Sequence, residues 1–162
     1  MNSETHAVLL PDESFLQAAK TLIRDARKTI YISSFKLELT AKPRGKRLLD
    51  LFHQLAQKAD AGVDVRILTN IRADRPHIPA SNTYAVKMLQ QKGIEIRKPR
   101  DERVCHAKVI IADHKKAIIG SHNLSVKSCH SNFEVSVLLT EVGTINVLAA
   151  FFLHTWDKSV KV

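Results

Sequence analysis

The residues of this chain that could do chemistry crowd into positions 106–123, HAKVIIADHKKAIIGSHN, where a His, Lys, Asp, Ser and Asn flank two apolar runs. His106 and Lys108 stand two apart, so an extended backbone projects both side chains to one face while Ala107 and Val109 turn to the other. An imidazole can attack phosphorus or hand a proton to a leaving oxygen, and an ammonium beside it neutralises non-bridging oxygens as charge builds. Ser121 and Asn123 can donate hydrogen bonds to the same oxygens, and Gly120 before them lets the backbone come close. Together these groups suit phosphoryl transfer.

They need a frame, and the sequence supplies one. Residues 12–28 place Phe15, Leu16, Ala19, Leu22, Ile23 and Ala26 at helical spacing. A β-branched and aromatic strand follows at 29–35, then a helix over 46–61 closed by Gly62. A strand at 63–69, a helix at 81–91 stopped by Gly93 and a short strand at 94–97 repeat the alternation. Such an order implies parallel neighbours with right-handed crossovers, whose loops gather at the strands' C-terminal edge, where ligands bind in sheets of this kind. Those loops, 36–47, 70–79 and 98–104, carry Lys42, Arg44, Arg47, Arg72, Arg75 and Arg100, a cluster suited to phosphate contact. His106 comes straight after the third loop and therefore belongs to the same edge. The spacing then predicts strands over 104–112 and 116–120 joined by a tight turn at 113–115, a loop at 121–132, a strand at 133–139 and a helix over 142–156.

The 162 residues fit one domain, 1–162, with a core over about 14–156. An excess of 25 Lys and Arg over 16 Asp and Glu gives a net charge of +9, which attracts polyanions or anionic lipid. The start lacks the basic and apolar regions of a secretory signal, and the apolar run 142–156 is shorter than a membrane span, so a cytoplasmic protein without stable membrane insertion is expected. Cys105 and Cys129 are expected as free thiols. The pairs Cys105-His106 and Cys129-His130 lack zinc-ligand spacing, so no metal and no cofactor is expected.

The spacing His106-x-Lys108, four residues, Asp113, six residues, Gly120-Ser121-x-Asn123 resembles the motif of the phospholipase D superfamily at every position. His114-x-Lys116 begins a second copy that goes no further. The segments ARKTIYISSF, GVDVRILT, GIEIR and SNFEVSVLL also look like the family's strands in the family's order. The resemblance implies an α/β fold, a mixed β-sheet flanked by helices on both faces, and metal-independent phosphodiester cleavage through a phosphohistidine. It makes His106 the nucleophile or acid, Lys108 and Asn123 the phosphate ligands, Ser121 an assistant, and Asp113 more a structural than a catalytic member. Glu134 resembles the carboxylate that holds the catalytic imidazole. A single motif implies a homodimer that joins two copies through the active-site face, as in the compact endonuclease-like members. The expectation is a nuclease acting on DNA or RNA; a cardiolipin-like phospholipid substrate, or a nucleic-acid-binding module without turnover, are the alternatives.

Overall fold

The computed structural model describes residues 6–71 and 76–162, so Arg72 and Arg75 lie outside the described residues. Eight strands, β1 (Ala7–Pro11), β2 (Thr29–Ser33), β3 (Asp64–Leu68), β4 (Glu95–Pro99), β5 (Val109–Ala112), β6 (Lys116–Gly120), β7 (Val135–Leu139) and β8 (Ser159–Lys161), form one sheet in the order β1-β7-β6-β5-β2-β3-β4-β8. The neighbours β2–β3 and β3–β4 run parallel, as the alternation of helix and strand requires, and every other pair is antiparallel.

Period-two alternation splits the strands' apolar residues between two faces. On one face Ile30, Ile32, Val65, Ile67, Ile110 and Ile118 pack under helices α1 (Ser14–Asp25), α2 (Lys46–Asp60) and α3 (Ala80–Gln90). On the other, Tyr31, Val109, Ile111 and Ala117 meet Ile145, Ala149, Phe152 and Trp156 of α5 (Val142–Asp157). Each fully buried Leu, Ile or Phe stabilises the fold by about 1.5–3 kcal/mol, so both layers hold the sheet firmly. The result is the mixed sheet with helices on both faces that the sequence implied.

The second face is covered only in part. Register places Leu9, Val137 and Ile119 side by side across β1, β7 and β6, with Pro11 beside Val135. Leu9 is 69% and Val135 51% exposed, and Phe133 just before β7 is wholly exposed. An apolar half-face therefore meets solvent.

Three elements escape the sequence pattern. Residues 7–11 and 159–161 are edge strands, one ending in Pro and one only three residues long, too short and too uniform for a period to register. The stretch 121–132 is not all loop: α4 (Val126–His130) is a single turn capped by the Ser125 side chain, which accepts from the Ser128 N–H. The strand expected over 104–112 is ordered as β only from Val109. His106 and Lys108 precede it in irregular backbone, for a reason found at the site.

Candidate active site

The motif is a hairpin. β5 and β6 pair antiparallel with Val109 opposite Ile119 and Ala112 opposite Lys116, so residues before β5 and after β6 meet at one end and Asp113 lies at the other. β2 lies antiparallel to β5, which brings Ser33 beside Val109 and delivers the C-terminal ends of β2, β3 and β4 to the same edge. His106, Lys108, Ser121, Asn123 and Glu134 all sit there.

Lys108 turns back onto His106. Its ammonium lies 3.1 Å from the imidazole Nδ1 and donates to the His106 carbonyl at 2.6 Å. Phe35 backs both groups, its ring 5.2 Å from the His106 ring and 5.8 Å from Lys108 Nζ. Burial pushes the Lys108 ammonium below its ordinary value, with Cys105 and Glu134 opposing the shift. The His106 imidazole is exposed.

Two buried asparagines, neither anticipated from the sequence, fix this geometry. Asn70, just past β3, accepts from the Cys105 N–H at 2.8 Å and donates to the Cys105 carbonyl at 2.9 Å, standing in for a neighbouring strand. That is why the backbone before His106 is ordered without belonging to the sheet. Asn82 on α3 accepts from the Leu37 N–H and donates to the carbonyls of Phe35 and Asn70. Loops from β2 and β3 are thus tied to each other and to His106. The available signal was an Asn directly after a strand at the ligand edge and another inside a helix, where Asn is disfavoured without a partner.

On the other side of the hairpin, Asn123 accepts from the Lys36 N–H at 3.0 Å, leaving its amide NH₂ free of any recorded bond among the described residues. Glu134 accepts from the Ser121 hydroxyl, from Ser128 Oγ at 2.8 Å and from Asn132 Nδ2 at 3.0 Å. Burial pushes this carboxyl up, but the three side-chain donors, Ser121, Asn132 and Ser128, outweigh it and hold Glu134 below its usual range. It makes no recorded hydrogen bond to His106 of its own chain. Gly120 approaches β7 and not an open site: a Cβ there would strike the Ser136 side chain and Cα and the Val135 carbonyl.

Asp113 stands apart at the turn, a strand's length from His106. It is a structural residue whose two oxygens accept from the N–H groups of Arg27, Lys28 and Thr29 at 2.7–2.9 Å. His114 and Lys116 share that remote end, so the incomplete second motif has no part in the site. His122 is buried, stacked on Phe15, and bonded to Ser136 Oγ and the Asp12 carbonyl. Of the basic loop residues, Lys42 and Arg44 line a cleft of about 430 Å³ with Glu38 and Val126, and Arg100 lines one of about 260 Å³ with Val104 and Cys105. These clefts flank the motif on either side, while Arg47 is drawn toward Glu13 at 3.5 Å.

Residues 19–156 match the family described as cardiolipin synthase, PLD-like domain. The chain belongs to the phospholipase D-like family. Curated relatives of this phospholipase D-like chain include a cardiolipin synthase of Alkalihalophilus pseudofirmus, 29% identical over 143 residues, and cardiolipin synthase 2 of Bacillus anthracis, 31% identical over 142 residues. The matched regions span 88% and 87% of this chain but only 26% of each relative. Among solved structures, the phospholipase D family member Nuc of Salmonella typhimurium superposes with a TM-score of 0.78 at 19% identity, over 96% of this chain and 98% of that one. NucT from Helicobacter pylori gives 0.74 at 16% identity, covering 96% and 98%. The archaeal chromatin protein TrmBL2, described as binding DNA in a novel mode, gives 0.62 at 16% identity, covering all of this chain and 57% of that one. Among the described residues no cluster of His, Cys, Asp or Glu could hold a metal ion, and no helix is long and apolar enough to cross a membrane.

Proposed function

We propose that this phospholipase D-like chain is a phosphodiesterase that cleaves nucleic acid in a site shared by two copies. The observation that carries it is the convergence of the His106 imidazole, the Lys108 ammonium and the free amide of Asn123 at one open hairpin end, flanked by clefts that bear Lys42, Arg44 and Arg100. The net charge of +9 and the likeness in fold to a chromatin protein described as binding DNA favour a polynucleotide.

In this reading one His106 attacks phosphorus and the P–O bond to the leaving group breaks. The leaving oxygen takes its proton from the second copy's imidazolium, and Lys108 with Asn123 balances the phosphoryl charge. Water then attacks the phosphohistidine, gives its proton to the now neutral second imidazole and frees the first. The chain has one such His, so the acid comes from a second copy. The exposed apolar half-face of Leu9, Ile119 and Val135 adjoins the site and supports that pairing. Glu134, which makes no bond to its own chain's His106, is then available to orient the imidazole across the interface.

Subunit mixing tests the reading. Wild-type and His106→Asn chains are co-refolded, mixed dimers are verified by sedimentation, and turnover of labelled DNA and RNA is measured with EDTA present. A shared site leaves about a quarter of full activity in an equal mixture, because only one of the pair types retains both imidazoles. A remainder near one half with proven mixing overturns the shared site. The curated relatives are cardiolipin synthases, so cardiolipin vesicles form a parallel arm: cleavage there and none of nucleic acid would replace the substrate and keep the chemistry.

A further inference from the structure

Far from His106, at the turn end of the β5–β6 hairpin, a cleft of about 600 Å³ opens between α1 and the sheet. Its lining is mostly apolar: Ala18 and Leu22 of α1 and Ala26 just past it face Ala112 of β5 and Leu138 of β7, with Gln17 and Thr21 of α1 beside them. The space exists because three of these five residues are alanines, where larger side chains would fill it. Its mouth carries Arg27, Lys115 and Lys116, all exposed. No carboxylate among the described residues forms an ion pair with any of the three. Two carboxylates also line the cleft: Asp113, held by three backbone N–H groups and by the nearby charge of Lys115, and Asp25, paired with Arg24 at 3.0 Å.

An apolar chamber whose mouth is net cationic, three cations against the carboxylates of Asp25 and Asp113, has a defined complement. The volume falls within the ~300–1,000 Å³ of small-molecule sites and holds little more than one turn of a helix about 10 Å across, which excludes a docked partner helix. An extended peptide finds no backbone partners either, because the α1 groups are bonded within the helix and β5 is paired on both sides. We propose that this cleft binds a single-chain anionic amphiphile of the fatty-acid class, its alkyl chain against Leu22 and Leu138 and its carboxylate at Lys115, Lys116 and Arg27. The site is independent of the phosphodiesterase reading, since it shares no residue with the catalytic edge.

Calorimetric titration of the whole chain with laurate, below the micelle concentration, tests this. One laurate binds per chain, and decanoate, two methylenes shorter, binds roughly fifteen-fold more weakly at about 0.8 kcal/mol per methylene. Dodecyltrimethylammonium, with the opposite head charge, gives no saturable binding. Ala18→Phe fills the chamber and abolishes laurate binding. Lys115→Glu combined with Lys116→Glu, both at exposed positions, weakens it about ten-fold at low salt while circular dichroism stays unchanged. Leu9→Ser, on the bare half-face, leaves it intact. Absence of saturable laurate binding, insensitivity to Ala18→Phe in a folded variant, equal binding of the cationic amphiphile, or loss of binding in Leu9→Ser would each overturn the proposal. None of these outcomes bears on whether phosphodiesters are cleaved.

Discussion

His106 and Lys108 show how two side chains become one device. The ammonium is held against the imidazole by its own bond to the His106 carbonyl, so the cation is in place before any phosphate arrives. In the proposed shared site His106→Ala removes nucleophile and acid together and is expected to lower turnover about 10⁴-fold; near-normal turnover by a folded variant would take His106 out of the chemistry. Lys108 makes a separate point through pH. Burial depresses its ammonium, so in the free protein its positive charge fades at a lower pH than an exposed lysine's would. Substrate affinity is expected to fall on the alkaline side before the ordinary lysine range of about 10.4 is reached. In Lys108→Arg, whose guanidinium does not deprotonate, that limb should vanish even if overall turnover drops from poorer fit. An unchanged alkaline limb would assign it to another group.

At the scale of elements, the hairpin and its fastenings matter more than any one contact. Asp113 clasps the α1–β2 connection through three N–H donors, and although burial raises its carboxyl, the bonds from Thr29, Lys28 and Arg27 and the charge of Lys115 outweigh this and hold it low. A folded-state value below the unfolded one stabilises the fold above the unfolded value and is lost as pH falls through the folded one. Asp113→Asn should therefore cost about 1–3 kcal/mol near neutrality, a gap that closes below about pH 4. Urea unfolding at both pH values measures this, and a gap independent of pH would refute it. The same elements explain what could be read beforehand. Helix-spaced apolar residues in α1, α2 and α5, and the β-branched runs of β2, β3 and β6, carry strong periods, and the motif's residue types pointed to the sheet edge where the structure brings them together. Asn70 and Asn82 stayed invisible because a buried amide is indistinguishable from a loop amide until its backbone partners are in place. β1 and β8 stayed hidden because edge pairing is decided by the neighbouring strand, not by local pattern.

For the whole molecule, the uneven covering of the sheet is the leading feature. α5 shields β2, β5 and β6 but leaves the β1–β7 half of that face with Leu9 and Val135 in solvent beside the candidate active-site edge. Burying such a patch in a dimer removes its exposure at about 25 cal/mol per Å² of apolar surface. On the proposed reading of a shared site, Val135→Asp, at an exposed position with no core role, should preserve the fold, leave a monomer and lower phosphodiesterase turnover, as sedimentation and assay on the same sample would reveal. A monomeric variant with full turnover would separate the patch from the site.

The hairpin has one more implication. Six residues lie between His106 and Asp113 and six between Asp113 and Gly120, so the motif's intervals are the two arms of a folded ruler with Asp113 at the crease. Its spacing measures the depth of the sheet, from the fastening at one end to the chemistry at the other. Deleting a single residue from β5 would turn the following side chains to the opposite face. The motif can therefore vary at its apolar positions and still not change length.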